Sequence, residues 1–120
     1  KPGIKVIGAE PLNANDAWQS LKSGHIIPSV NPKTVADGLL TSLSQLTFSV
    51  IKRNVDQILT AREETIIEAM LLVWERMKII IEPSSATVVA VIMENPGIFR
   101  NKKAGLIISG GNVDFRKLPF

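Results

Sequence analysis

An α/β fold in three layers, with a mostly parallel sheet between helices, is predicted by three features of this 120-residue sequence. Leu106-Ile107-Ile108 is an apolar run without polar alternation, which reads as a strand buried on both faces, as parallel strands between helix layers are. Two other strand-like runs, Ile4–Ala9 and Gln57–Thr60, are separated by segments of helical character. From about Arg62 to Lys78, apolar residues recur at helical spacing along one broad stripe.

Composition narrows the class. With 45% hydrophobic and 21% charged residues, the chain can bury one core of ordinary domain size. No stretch approaches the roughly 18 continuous apolar residues of a membrane span. Lys1-Pro2-Gly3 leads toward a strand without the charged start and apolar run of a signal peptide, so a cytoplasmic location and no membrane partner are expected. Cysteine is absent, which excludes disulfides and thiolate metal sites. The single histidine, His25, excludes a His-cluster zinc site and leaves little scope for a Ser-His-Asp triad. The net charge of +3 is dispersed, with basic and acidic residues interleaved and few aromatics, so no nucleic-acid partner is expected.

Taken in order, Ile4–Ala9 alternates and then turns small and apolar, as a strand entering a sheet does. Glu10-Pro11-Leu12-Asn13-Ala14-Asn15-Asp16 follows, with proline forcing extension and Asn/Asp in position to cap a helix from Ala17 to Lys22. The same stretch is also a candidate hard-cation site, because two carboxylates and free carbonyls near a sheet edge are the oxygen ligands that Mg²⁺ or Ca²⁺ use. Ser23 to Lys33 is a loop in which Pro28 and Pro32 deny helix and His25 is solvated. Asp37-Gly38 reads as a turn, with an acidic residue beside a glycine free to take positive φ.

Leu46 to Val55 has the spacing of a short helix, and Gln57–Thr60 that of a brief strand. Thr60 is placed to cap the helix that begins near Arg62; Glu63 and Glu64 suit its positive first turn, and Arg76 and Lys78 its last. Ile66, Ile67, Met70, Leu71, Val73, Trp74 and Met77 form its core stripe. Ile79–Ile81 continue the apolar run to Glu82, and Pro83 suits the first turn of a helix over Ser84–Met93. Glu82 is a carboxylate between an apolar run and an apolar helix, either satisfied at the helix N-terminus or tuned for chemistry. Asn95-Pro96-Gly97 ends that helix, and the basic stretch of Arg100, Lys102 and Lys103 leads to the Leu106 run. There, Ser109-Gly110-Gly111 is either a plain strand exit or a hydroxyl and bare N–H groups at the end of the sheet where open α/β folds hold ligands.

Five segments carry a resemblance: Glu10-Pro11 with Ala14 and Asp16; Ala36-Asp37-Gly38; Val73-Trp74-Glu75-Arg76-Met77-Lys78; Glu82-Pro83-Ser84-Ser85-Ala86; and Ser109-Gly110-Gly111-Asn112-Val113-Asp114. In order and spacing they resemble the C-terminal portion of the serine racemase and serine/threonine dehydratase family, pyridoxal phosphate enzymes of fold type II, the tryptophan synthase β-type fold. The match runs from about Ile4 to Asp114, and its Trp74–Lys78 and Glu10–Ala17 stretches favour the racemase branch. The resemblance implies that residues 1–120 form the C-terminal portion of the large cofactor domain. Ser109 would bond the pyridine nitrogen, Asp37, Gly38 and Gly110 would lie beside the cofactor, and Glu82 near its ring. Glu10, the carbonyl of Ala14 and Asp16 match the Mg²⁺ or Ca²⁺ ligands, and Lys78 and Asn112 match positions that contact ATP at a homodimer interface.

The resemblance also implies what must come from elsewhere. The family's cofactor-linking lysine, its Ser-x-Gly-Asn-His type loop and its phosphate-binding glycine run do not occur in these 120 residues. The expected activity is therefore that of a racemase or ammonia-lyase acting on serine or threonine, by α-proton abstraction followed by racemisation or loss of water to an oxoacid and ammonia. It would be complete only with an N-terminal lysine-bearing part; catalytic residues are not expected in this chain. The other reading is a truncated, non-catalytic binding or dimerisation module of the same fold. Ser85, where a smaller residue is common, and Asn15, in place of an Asp, depart from the family pattern.

Overall fold

The computed structural model describes residues 3–120, so Lys1 and Pro2, the start of the expected lead into the first strand, lie outside the described residues. Two strands, β1 (Ile7–Pro11) and β2 (Gln57–Ala61), pair in parallel with Ile7 opposite Gln57 and Pro11 opposite Ala61. The first strand starts at Ile7, later than the sequence suggests, and Val6 ahead of it bonds to Asp56. Its N–H donates to the Asp56 carboxylate at 2.8 Å and its carbonyl accepts from the Asp56 N–H at 2.9 Å. Pro11, which has no N–H to give, ends the strand.

Helices cover both faces of this pair, which makes the three layers. On one side are α1 (Asp16–Ser23) and α2 (Gln45–Asn54); with Gly8, Glu10 and Ile58 they line a cavity of about 240 Å³. Gly24 ends α1 in the left-handed region at φ 80°, where its N–H reaches the Ser20 carbonyl, as glycine does at many helix ends. Ser44 and Thr47 begin α2 with a reciprocal capping box. The loop before it includes His25, which is exposed as expected, and Asp37–Leu39 forms one 3₁₀ turn.

On the other side, α3 (Glu63–Met77) and α4 (Pro83–Glu94) pack on each other and on Ala9, Leu59 and Ala61. Ile66, Met70, Val73, Ala86, Ala90 and Val91 are the centre of this core. Fully burying an Ile or Met side chain contributes about 1.5–3 kcal/mol, so the α3 stripe accounts for much of what holds the helix in place. Met77, expected in the stripe, is exposed instead. Thr60 does not cap α3, because it is inside β2; the position falls to Arg62, whose side chain makes no cap bond. A four-residue helix, α5 (Pro96–Phe99), follows the break at Asn95.

The largest departure from expectation is at Leu106–Ile108. It forms no strand, and Ile107 is 81% exposed. A strand needs a partner ladder, and among the described residues β1 and β2 pair only with each other. Ser109 therefore sits in an extended loop and not at a strand's carboxyl end. No helix among the described residues is long and apolar enough to cross a membrane.

Candidate functional site

Three loop segments converge at the start of α4. Lys78 turns the chain off α3 in the left-handed region, φ 59°, and the Trp74 indole N–H holds the following segment by donating to the Ile81 carbonyl at 2.9 Å. This delivers Glu82 to the N-cap of α4, with Pro83 at the first helical position. Glu82 does not cap α4 with its side chain. Its carboxylate reaches out and accepts the Asn112 N–H at 2.9 Å, while its own N–H donates to the Gly110 carbonyl at 3.0 Å.

The Glu82 carboxyl lies between two glycines. A Cβ at Gly110 would collide with Glu82 Cδ and Oε1 and stand 2.7 Å from Oε2, and a Cβ at Gly38 would stand 3.6 Å from Oε1. Two hydroxyls of the first α4 turn tie in the neighbouring loops. Ser84 Oγ accepts the Gly38 N–H at 3.2 Å, and Ser85 Oγ accepts the Gly110 N–H at 2.7 Å. Neither serine stood out as a site residue in the sequence. Both lie in the Glu82–Ala86 segment of the resemblance, and Ser85, which departs from the family pattern there, supplies the shortest bond in the cluster.

Asp37, Gly38, Glu82, Ser109 and Gly110 are thus within one junction of loops. Ser109 and Asp37 are exposed, and the Ser109 hydroxyl makes no hydrogen bond among the described residues. The donor set suits the ring end of a pyridoxal group: an open hydroxyl for the ring nitrogen, a fixed carboxylate, and glycine backbone with no side chain in the way. Lys78 and Asn112 are both exposed but share no hydrogen bond among the described residues. The aromatic contacts of Trp74 with Phe115 and Phe120, at 5.9 and 5.8 Å between centroids, fold the C-terminal residues back beside this junction.

The carboxylates of the cation candidate lie at the other layer. Both Glu10 oxygens accept N–H groups of the first α1 turn, from Ala17 at 3.0 Å and Trp18 at 2.6 Å. Glu10 therefore caps α1 from the end of β1, the role the sequence suggested for the Asn/Asp residues ahead of Ala17; Asn15, at the N-cap position, makes no side-chain cap bond. Burial pushes the Glu10 carboxyl up to about 7, opposed by the Trp18 and Ala17 N–H groups and reinforced slightly by Asp16. Burial also pushes the Asp16 carboxyl up, opposed by its own N–H and that of Leu43; Asp16 is 5% exposed and Ala14 is buried. Neither carboxylate forms an ion pair among the described residues, which hold no group of three or more acidic, His or Cys side chains able to bind a metal. Two desolvated carboxylates are oxygen donors of the kind a hard cation takes, with carbonyls and water completing the shell.

Glycine, hydroxyl and carboxylate groups meeting at a helix N-terminus beside a parallel-stranded α/β layer are the kind of convergent polar groups that small-molecule cofactor sites use. The family model for pyridoxal-phosphate dependent enzymes matches residues 1–110. The chain is 49% identical over 119 residues to the β-hydroxyaspartate dehydratase of Paracoccus denitrificans, covering 99% of this chain and 38% of that protein. It is 52% identical over 123 residues to the serine racemase of Dictyostelium discoideum, covering 98% and 37%. Among solved structures, the T.th. threonine deaminase superposes with a TM-score of 0.90 at 40% identity, over 96% of this chain and 42% of that one. The chain belongs to the pyridoxal-phosphate dependent enzymes, with the fold of their type II members. It spans 38% and 37% of the length of those two curated relatives.

Proposed function

We propose that this chain is the C-terminal, ring-binding portion of a pyridoxal phosphate-dependent racemase or ammonia-lyase that acts on a β-hydroxy amino acid such as serine or threonine. The observation that carries this is the placement of the Glu82 carboxyl between Gly38 and Gly110, beside the exposed Ser109 hydroxyl. The relatives' names, serine racemase and β-hydroxyaspartate dehydratase, support the substrate class. The lysine that anchors the cofactor and performs proton transfer comes from a part of the protein outside these 120 residues, so this chain by itself is inactive. The whole enzyme is a cytoplasmic homodimer.

When bound, pyridoxal phosphate supplies an electron sink for the charge left when the substrate's α proton is removed. This chain's residues set how strong that sink is. The Ser109 hydroxyl would hold the ring nitrogen and, unlike a carboxylate, would not favour a proton there. Asp37, Gly38 and Gly110 border the ring without filling its space. Glu82, held by the Asn112 N–H, keeps a fixed carboxylate at the ring's flank. Glu10, the Ala14 carbonyl and Asp16 would hold Mg²⁺ or Ca²⁺, and Lys78 and Asn112, both exposed, would contact ATP as an effector.

The test combines intact mass under denaturing conditions with a visible absorption spectrum of the native protein. Visible absorption of bound pyridoxal phosphate, with a longer species or a second chain present, is the expected result, and serine and threonine turnover then distinguish racemisation from elimination. A single species of this chain's mass that takes up no added pyridoxal phosphate would instead establish the non-catalytic module.

A further inference from the structure

We propose that Glu63 is a positioning residue for the Asp37-Gly38 turn, an inference that rests on the reading of that turn as part of the cofactor site. Glu63 is the first residue of α3, yet its carboxylate is spent on a loop far away in sequence. Oε2 accepts the Thr34 hydroxyl at 2.9 Å and the Val35 N–H at 2.8 Å. Thr34 Oγ1 in turn accepts the Ala36 N–H at 3.1 Å. Ala36 is fully buried, and its carbonyl takes the Leu39 N–H at 2.9 Å, which closes the turn over Asp37 and Gly38. These bonds join the α3 N-terminus to the turn that contains Gly38, whose N–H is shared between Asp37 Oδ1 at 2.9 Å and Ser84 Oγ on α4 at 3.2 Å.

The second oxygen of Glu63 explains why this is geometry and not local stabilisation. Oε1 is buried and takes no hydrogen bond among the described residues. A desolvated carboxylate oxygen without a partner costs free energy, offset only in part by the positive end of α3. A glutamine could accept both bonds through its amide oxygen, so the side chain's contribution is where it holds residues 34–36 and not its charge. That turn carries no buried side chain of its own, and Ala36 ahead of it is its anchor in the core.

The experiment uses E63A, E63Q and T34V in the protein as isolated with its cofactor. Three readouts are taken: amide hydrogen exchange, the dissociation constant for pyridoxal phosphate from visible titration, and thermal melting. E63A is expected to speed exchange at the 35–39 amides and weaken cofactor binding, each by about tenfold, with α3 and α4 amides protected as before. E63Q is expected to restore both, and T34V to fall between. Unchanged exchange at 35–39 in E63A, or faster exchange spread evenly over α3 and α4, would overturn the proposal. So would faster local exchange with unaltered cofactor affinity. If E63A does not fold, T34V decides by the same two readouts. A wild-type protein that takes up no pyridoxal phosphate would overturn the functional reading instead, and the exchange measurement, which needs no cofactor, then supports or overturns the clamp by itself.

Discussion

Glu82 and Gly110 form one joint. The Glu82 N–H donates to the Gly110 carbonyl at 3.0 Å, and the Glu82 carboxyl fills the space where a side chain at 110 would begin. The Asn112 N–H holds the carboxylate on its other side, the one hydrogen bond the Glu82 side chain makes among the described residues. Glycine at 110 is required by this close approach and not by backbone conformation, since Gly110 is not among the positive-φ glycines.

That distinction predicts the effect of Gly110→Ala. The new methyl meets the end of a flexible side chain, so Glu82 swings away and the fold loses no more than about 1 kcal/mol. Pyridoxal phosphate affinity, read by visible titration, falls by tenfold or more on the order-of-magnitude scale of a displaced charged hydrogen-bonding group. A large drop in melting temperature with unchanged cofactor affinity would show that Glu82 serves the fold alone.

Ser109→Ala separates site from scaffold more cleanly still. The residue is exposed, and its hydroxyl makes no hydrogen bond among the described residues, so melting of the cofactor-free protein should not change. Loss of one hydrogen bond to the ring nitrogen weakens cofactor binding by about three- to tenfold. Equal cofactor titrations for the variant and the parent would remove Ser109 from the site.

The cation reading has a test of opposite signs. Asp16→Asn relieves a desolvated carboxylate beside Glu10, so in EDTA the variant melts at or above the parent temperature. With Mg²⁺ or Ca²⁺ at about a hundred times its dissociation constant, the parent gains about 2.7 kcal/mol and the variant does not. Glu10→Gln loses the cation too and likewise relieves a desolvated carboxylate, but an amide nitrogen cannot accept one of the two cap N–H groups, which costs about 1 kcal/mol and offsets that relief in EDTA. Identical melting of the parent with and without the ions would sink the cation site.

The sequence makes the helices far more legible than the contacts between distant segments. The α3 stripe could be read because Ile66, Met70 and Val73 recur with the helix's own period. Leu106–Ile108 misled because an apolar run says that something covers it but not whether a strand is present to pair with it. Glu10 as the cap of α1 was hidden for a related reason: the cap comes from a strand end, and its reach depends on how β1 meets α1. The joint of Glu82, Gly38 and Gly110 is likewise non-local; motif order brought these residues to notice, but only folding shows that one carboxyl lies between both glycines. Ser84, Ser85 and Glu63 act through single bonds to distant backbone or hydroxyl groups, which leave no periodic trace in a sequence.

Glu94, at the last turn of α4, is expected to contribute to the acid limit of stability. Burial pushes its carboxyl up, and the Thr65 hydroxyl, the Arg62 N–H and the Arg62 guanidinium together more than reverse this, so its pKa is held below the ordinary 4.5. The Arg62 contacts are 3.1 Å from the backbone N–H and 3.2 Å from Nε. A carboxyl depressed in the folded state stabilises it fully above the unfolded value and progressively less as pH falls through the folded value. Chemical denaturation from pH 6 down to pH 3 should therefore show a fall in stability that is shallower in Glu94→Gln, with the two curves converging at the acid end (about these limits, from ordinary carboxylate values). Arg62→Ala removes only the guanidinium, which is 67% exposed, so its cost at neutral pH is at most about 1 kcal/mol and shrinks with added salt. The backbone N–H and Thr65 remain in that variant, so part of the acid slope survives. Parallel slopes for the parent and Glu94→Gln would show that the acid limit is set elsewhere.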